Sequence, residues 1–146
     1  KLLTHNTDQS VLTLMQLSSV VERDYPSVRP DQELVDIVRT ISRTKGDVIP
    51  VLDAAGSLLG QIEIARIRHI VFRTELYHHF TASQLMIQPP ALLADGQPMS
   101  DVMQTFEQTH ADYLPVIDTD GHLKGYVSRQ HLYVQYRKMV ADNSEE

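Results

Sequence analysis

The chain carries one sequence pattern twice, with the second copy 65 positions after the first. The segment from Pro50 to Gly60 recurs from Pro115 to Gly125. When residues 16–73 are laid on residues 81–138 without a gap, twelve pairs are identical: Ser18/Ser83, Gln32/Gln97, Asp36/Asp101, Thr40/Thr105, Thr44/Thr109, Asp47/Asp112, Pro50/Pro115, Val51/Val116, Asp53/Asp118, Gly56/Gly121, Leu58/Leu123 and Gly60/Gly125. A small repeated unit needs a neighbour to bury its hydrophobic face. The repeat therefore favours a symmetric module with a cleft between its halves over an enzyme with one site.

Apolar and turn-forming residues predict the element order β-α-β-β-α in each copy. Apolar residues at helical spacing predict one helix per copy, carried by Leu34, Ile37, Val38 and Ile41 and by Met99, Val102, Met103 and Phe106. A hairpin follows, with predicted strands over residues 48–52 and 58–62, and over residues 113–117 and 123–127. We expect an α+β fold of two such units related by a pseudo-twofold axis, with their sheets packed together.

The repeat boundaries divide the chain into five segments: residues 1–15, the first repeat 16–73, a linker 74–80, the second repeat 81–140 and a tail 141–146. The N-terminal segment is expected to dock on the core through its apolar residues Val11, Leu12, Leu14 and Met15. Ser18 or Ser19, and Asp31, are expected to cap helices with their side-chain oxygens. The polar residues 143–146 predict a frayed end.

Composition and spacing argue against several functions. A net charge of −6 gives no basic surface for nucleic acid, and the absence of cysteine excludes disulfides and thiolate chemistry. The adjacent His78 and His79 diverge on a helix or strand and lack metal-ligand spacing, so no metal site is expected. Asp53 and Asp118 each open a tight turn, where aspartate bonds its own backbone. No catalytic set is found, and we expect a protein that is not an enzyme.

Two hydrophobic-Pro-Val strands, Ile49–Val51 and Leu114–Val116, each lead into an Asp-x-x-Gly-x-Leu-x-Gly hairpin. Together with the opening at residues 83–86, Ser-Gln-Leu-Met, this pattern resembles a CBS pair, the cystathionine-β-synthase-type tandem that regulates many enzymes, transporters and channels. The resemblance covers nearly all of residues 16–140. It implies a regulatory module whose two clefts between repeats commonly bind adenosine nucleotides.

Further segments point to a narrower family. They are residues 2–5, 11–15, 24–28, 67–73, 75–77, 127–129 and 136–137. Together they resemble the cytoplasmic C-terminal tail of a bacterial ClC-type chloride channel or transporter. That resemblance implies a membrane domain before Lys1 in the same chain, a location at the cytoplasmic face of the inner membrane, and a homodimer. A surplus of apolar side chains also favours the homodimer, namely Val35, Tyr133, Tyr136, Met139 and Val140.

The CBS family binds nucleotides with the pattern Gly-h-x-[Ser/Thr]-x-x-Asp after the hairpin. The hydroxyl contacts phosphate and the carboxylate contacts the ribose. In the second repeat Ser128 fits this pattern, whereas His131 replaces the aspartate. The resemblance implies that Val28, Asp47 and Val48 of the first repeat complete this cleft.

In the first repeat, Glu63 replaces the hydroxyl and Arg66 replaces the aspartate. The resemblance completes this weaker cleft with Leu93, Asp112 and Tyr113. The Glu63 carboxylate would repel phosphate, whereas Arg66 would attract it and Tyr113 would stack on adenine. The alternative is that Tyr113 fills core and Arg66 is a solvated helix residue.

Three functions remain open from the sequence. The first is a regulatory module of a ClC-type protein that modulates ion transport through bound ATP, ADP or AMP. The second is a nucleotide-sensing CBS pair that regulates a different enzyme or transporter, and the third is a ligand-free dimerisation module. Because both ribose-binding aspartates are missing, nucleotide binding is expected to be weak or absent and to favour the Ser128 side.

Overall fold

A computed structural model describes residues 10–144 of the 146-residue chain. The helices and strands, in chain order, are α1 (residues 10–14), α2 (Leu34–Ile41), β1 (Val48–Leu52), β2 (Leu58–Glu63), α3 (Ile64–Ile67), α4 (Ala82–Leu85), β3 (Leu93–Ala94), α5 (Met99–Thr109), β4 (Tyr113–Ile117), β5 (Leu123–Ser128) and α6 (Arg129–Ser144). Short 3₁₀ turns lie at Leu17–Ser19 and Thr74–Leu76. The predicted α+β class is confirmed.

The strands form one hairpin and one three-stranded sheet. β1 and β2 are antiparallel, and Val28 adds a single parallel bridge to Val51 of β1. The other sheet has the order β3-β4-β5. Both repeats thus follow the predicted β-α-β-β-α order, with a bridge in place of the first strand in the first repeat. Across residues 10–144, no helix has the length and apolar character that a membrane crossing requires.

The described chain forms two compact units, each with its own hydrophobic core. The first contains residues 10–23, 90–116 and 124–144, and the second contains residues 24–89 and 117–123. Buried residues of the first core include Val11, Met15, Leu17, Val20, Leu93, Met99, Val102, Phe106, Leu114, Val116, Val127 and Leu132. Those of the second include Val28, Leu34, Ile37, Ile49, Val51, Ile62, Ile67, Ile70, Val71 and Ala82.

The first residues of each repeat, 16–23 and 81–88, form a lead-in segment that pairs with a strand of the other repeat. The backbone of Glu22 exchanges hydrogen bonds of 2.8 and 2.9 Å with Tyr126 of β5. At the positions 65 residues away, Ile87 exchanges bonds of 2.8 and 2.9 Å with Gln61 of β2. Each compact unit therefore takes its lead-in segment from the other sequence repeat. The sequence repeat did not predict this exchange.

Glycine at two repeated positions permits this pairing. A Cβ atom on Gly125 would clash with the carbonyl oxygen of Glu22 and would lie 2.7 Å from Cγ1 of Val21. A Cβ atom on Gly60 would lie 2.8 Å from the sulfur of Met86. The close approach of the lead-in segments gives a physical reason for the glycine that both repeats share.

The predicted helix caps are wrong. Asp31 lies before the N-cap of α2, which is Glu33, and the carboxylate of Asp36 accepts the Glu33 N–H at 2.9 Å. The 3₁₀ turn at Leu17–Ser19 has Gln16 as its N-cap. The Ser19 hydroxyl donates to the Gln16 carbonyl at 2.7 Å instead of accepting from a backbone N–H.

The terminal segments agree only in part with the sequence predictions. Val11 and Met15 are buried as expected, but Leu14 is 60% exposed and does not dock. These docking residues lie four apart and share a helical face that excludes Leu14. At the other end α6 continues to Ser144, and the Asn143 side-chain amide donates to the Met139 carbonyl at 2.7 Å. Residues 143 and 144 are therefore helical, while residues 1–9 and 145–146 lie outside the described part.

Candidate functional site

The amino end of α6 is organised by Ser128, the last residue of β5. Its hydroxyl oxygen accepts the N–H of His131 at 3.3 Å, so Ser128 caps the helix. The Arg129 N–H donates to the carbonyl of Asp112 at 2.8 Å. The guanidinium of Arg129 lies 5.6 Å from the ring centre of Tyr133. A capped helix start of this kind presents backbone dipoles that favour negative charge.

The equivalent end of α3 has a different arrangement. The Ile64 N–H donates to the carbonyl of Asp47 at 2.9 Å, which matches the Arg129–Asp112 bond of the second repeat. Glu63 and Arg66, however, form an ion pair with Nε and Oε1 2.9 Å apart. Their side chains are 34% and 66% exposed, respectively. The Arg66 charge is therefore matched by Glu63 at the protein surface, in keeping with the solvated alternative.

The residues of the first predicted cleft belong to different units. Ser128 and His131 are half-buried and lie together in the first unit. Val28 and Val48 lie in the second unit and are buried, each 2% exposed. Asp47 is exposed there. The cleft that would combine all five stays a prediction.

The second predicted cleft divides in the same way. Glu63 and Arg66 lie in the second unit, and Leu93, Asp112 and Tyr113 lie in the first. Leu93 is fully buried, so its side chain contributes to the core rather than to a ligand surface. Asp112 is exposed, and Tyr113 is half-buried at the start of β4. This cleft also stays a prediction.

Asp53 shapes the first hairpin turn, as predicted. Its Oδ1 accepts the N–H groups of Ala55 and Ser57, each at 2.9 Å. Gly56 has a φ of 89°, which glycine adopts without strain.

Asp118 shapes the second turn in the same way. Its Oδ1 accepts the N–H groups of His122 and Asp120, each at 2.9 Å. Chiefly because the His122 N–H donates to the carboxylate, with help from the Asp120 N–H, the pKa of Asp118 lies below its usual value. The structural role expected for both aspartates is confirmed.

One cluster in this turn was missed by the sequence analysis. Asp118, Asp120 and His122 each offer a metal-ligating atom, and these atoms lie within 4.8 Å of one another. The alternating spacing Asp-x-Asp-x-His was the available signal. Within residues 10–144 this is the only such group of three or more, and it does not include His78, which pairs with Glu33 at 2.9 Å.

Solved structures with the same fold were found in large number, whereas a search of curated proteins found no match. CBSX2 in complex with AMP is 18% identical, with a TM-score of 0.68, and the match covers 85% of this chain and 97% of that chain. CbpB in complex with c-di-AMP is 12% identical, with a TM-score of 0.76 and 99% of each chain covered. The CBS domain of the bacterial CNNM/CorC family Mg²⁺ transporter is 10% identical, with a TM-score of 0.74, covering 91% of this chain and 83% of that chain.

The family model of the CBS domain matches the chain twice, at residues 17–73 and at residues 82–136. These two matches account for most of the sequence and coincide with the two copies of the repeat. The paired hairpins, the helix starts that follow them and the family match agree with one another, and the chain belongs to the CBS domain family.

Proposed function

We propose that this chain is the regulatory CBS pair of a ClC-type chloride channel or transporter, in which adenine nucleotide bound at the amino end of α6 modulates ion transport. The family supports a regulatory role. The ClC assignment is supported by the segments outside the repeats whose sequence resembles a bacterial ClC tail. On this proposal the module lies at the cytoplasmic face of the inner membrane.

The asymmetry between the two helix starts supports the choice of site. At α6 the hydroxyl of Ser128 lies beside the N–H of His131, and neither position carries an acidic group. At α3 the same positions hold the Glu63–Arg66 ion pair. A phosphate at α3 would have to approach the Glu63 carboxylate and compete with it for Arg66. A phosphate at α6 meets no such competitor at these positions, so this end is the favoured site.

Structural neighbours support the ligand class. CBSX2 was solved with AMP and CbpB with c-di-AMP, and both have the fold of this chain. We therefore propose ATP, ADP or AMP as the ligand. Because His131 replaces the ribose-binding aspartate, we expect weak binding, with a Kd above about 1 μM. The binding free energy is then less favourable than roughly −8 kcal/mol.

Calorimetric titration of the chain with ATP, ADP and AMP tests the site. We expect Ser128→Ala to weaken binding about tenfold, because it removes a hydroxyl worth roughly 1.4 kcal/mol to the phosphate. Glu63→Ala is the matched control at the equivalent position, and it should leave the affinity unchanged. Absence of binding at millimolar nucleotide, or binding sensitive to Glu63→Ala but not to Ser128→Ala, would contradict the proposed site.

Ion flux tests the assignment to a transport protein. In vesicles containing the transport protein to which this proposal assigns the chain, we expect chloride flux to change when AMP or ATP is added. Ser128→Ala should raise the nucleotide concentration needed for that change about tenfold. The CNNM/CorC neighbour favours one alternative, a CBS pair attached to a cation transporter. Nucleotide-dependent Mg²⁺ flux without chloride flux would establish that alternative and contradict the ClC assignment.

We also propose a homodimer, although the surplus of apolar side chains that favours it is smaller than the sequence suggested. Tyr136, Met139 and Val140 pack partly against the core of the first unit. In the described part of the chain, the large apolar side chains that are exposed are instead Phe72 and Leu92, at 89% and 52%, together with Leu14 and Val134. Light scattering at high micromolar concentration should report twice the chain mass. A monomer would argue for a ligand-binding module without a dimerisation role of its own.

A further inference from the structure

The second hairpin turn carries a ligand set that the first turn lacks. A carboxylate oxygen of Asp118, one of Asp120 and a ring nitrogen of His122 lie within 4.8 Å of one another. In the first turn the equivalent residues are Asp53, Ala55 and Ser57. Of these three positions, only the aspartate that shapes the turn is the same in both turns.

The two additional side chains are not needed for the turn itself. Both turns are closed by the same pair of backbone bonds to an aspartate Oδ1, all at 2.9 Å. The first turn forms these bonds with alanine and serine at the variable positions. Asp120 and His122 therefore add functional groups to a turn that already forms without them.

The distance between Asp118 and His122 suits a shared metal ion. Oδ2 of Asp118 lies 3.4 Å from Nδ1 of His122, a contact that the two side chains form as an ion pair. Two ligands of a tetrahedral zinc ion, each at about 2.0–2.1 Å from the metal, are separated by about 3.3 Å. The side chains of Asp118 and His122 are 24% and 40% exposed, and Asp120 is exposed, so an ion has access.

We propose that Asp118, Asp120 and His122 bind a divalent transition-metal ion at the tip of the second hairpin. An imidazole with two carboxylates is a donor set suited to Zn²⁺ and its neighbours, whereas Mg²⁺ and Ca²⁺ prefer oxygen ligands alone. Three protein ligands leave the remaining coordination to water. This site revises the expectation of no metal, which rested on the adjacent His78 and His79.

Metal at this position would stabilise the pairing of the two hairpin turns. His122 forms a backbone bridge with Ser57. The Leu58 N–H donates to the Gly121 carbonyl and the Leu123 N–H to the Gly56 carbonyl, each at 3.1 Å. An ion that holds the side chains of the second turn in place binds the folded form and raises stability by mass action.

The test is a calorimetric titration of the chelator-treated 146-residue chain with Zn²⁺. We expect one ion per chain and no competition from a large excess of Mg²⁺. The double variant Asp120→Ala, His122→Ser gives the second turn the residues of the first at these two positions, so it should keep its fold by circular dichroism. That variant should bind Zn²⁺ at least about tenfold more weakly. Even the loss of a group that only orients a metal ligand lowers metal affinity by about that factor. The control His78→Ala, His79→Ala should bind as the unmodified chain does.

A second measurement on the unmodified chain does not depend on any variant folding. Paramagnetic Co²⁺ should broaden the amide NMR signals of residues 118–122 first. Absence of saturable Zn²⁺ binding, full affinity in the Asp120/His122 variant, or broadening centred on His78 and His79 would each overturn the proposal.

Discussion

Gly125 lies in β5 beside the lead-in segment, where a side chain would meet the backbone of Glu22. Replacement by alanine would force its new methyl group against the backbone oxygen of Glu22, which cannot move without disturbing two hydrogen bonds. Gly60→Ala is the matched control, because its nearest neighbour is the flexible end of the Met86 side chain. We expect Gly125→Ala to lower the free energy of unfolding by about 3 kcal/mol and Gly60→Ala by about 1 kcal/mol. Urea unfolding followed by circular dichroism measures both, and equal losses would contradict the explanation.

The hydrogen bonds of Thr40 and Thr105 give a physical reason for the threonine that the two repeats share. The hydroxyls of Thr40 and Thr105 donate to the carbonyls of Asp36 and Asp101, each at 2.8 Å. The repeat revealed these identities, but a threonine within a helical segment does not show whether its hydroxyl faces solvent or bonds its own helix. Sequence therefore predicted that these positions matter without predicting why.

At the scale of elements, the starts of α2 and α5 differ, although both helices carry an aspartate in the first turn. Asp36 accepts the backbone N–H of Glu33, whereas the corresponding helix α5 begins after Pro98, which has no N–H to offer Asp101. We expect Asp36→Ala to destabilise the protein by about 1 kcal/mol, and Asp101→Ala by about 0.5 kcal/mol through the helix dipole alone. Thermal unfolding of the two variants provides the comparison. A larger loss for Asp101→Ala would show that the Glu33 bond is not the stabilising contact.

The presence of helices and strands was predicted better than the residues at which they begin and end. Strands β1 and β4 match the expected residues, because an aspartate lies directly before and directly after each of them. The start of α2 was misplaced, since Asp31 and Glu33 both precede the apolar stripe and only the fold decides which one lies at the cap.

At the scale of the whole molecule, the exchange of lead-in segments was beyond the sequence. Apolar periodicity identifies which residues are buried but does not identify the strand that pairs with them.

The candidate site was also predicted only in part from the sequence. The family pattern led to Ser128 and His131, which the structure brings together, but the Glu63–Arg66 ion pair was not predicted, although its i, i+3 spacing permits it.

On our proposal, adenine nucleotide binds at the amino end of α6 rather than at the amino end of α3. Backbone amide NMR of the chain during titration with AMP tests it directly, because both helix starts are observed in one experiment. We predict saturable shifts at residues 128–131 and little change at residues 63–66. Shifts confined to residues 63–66, or no saturable shift at either helix start, would contradict the account.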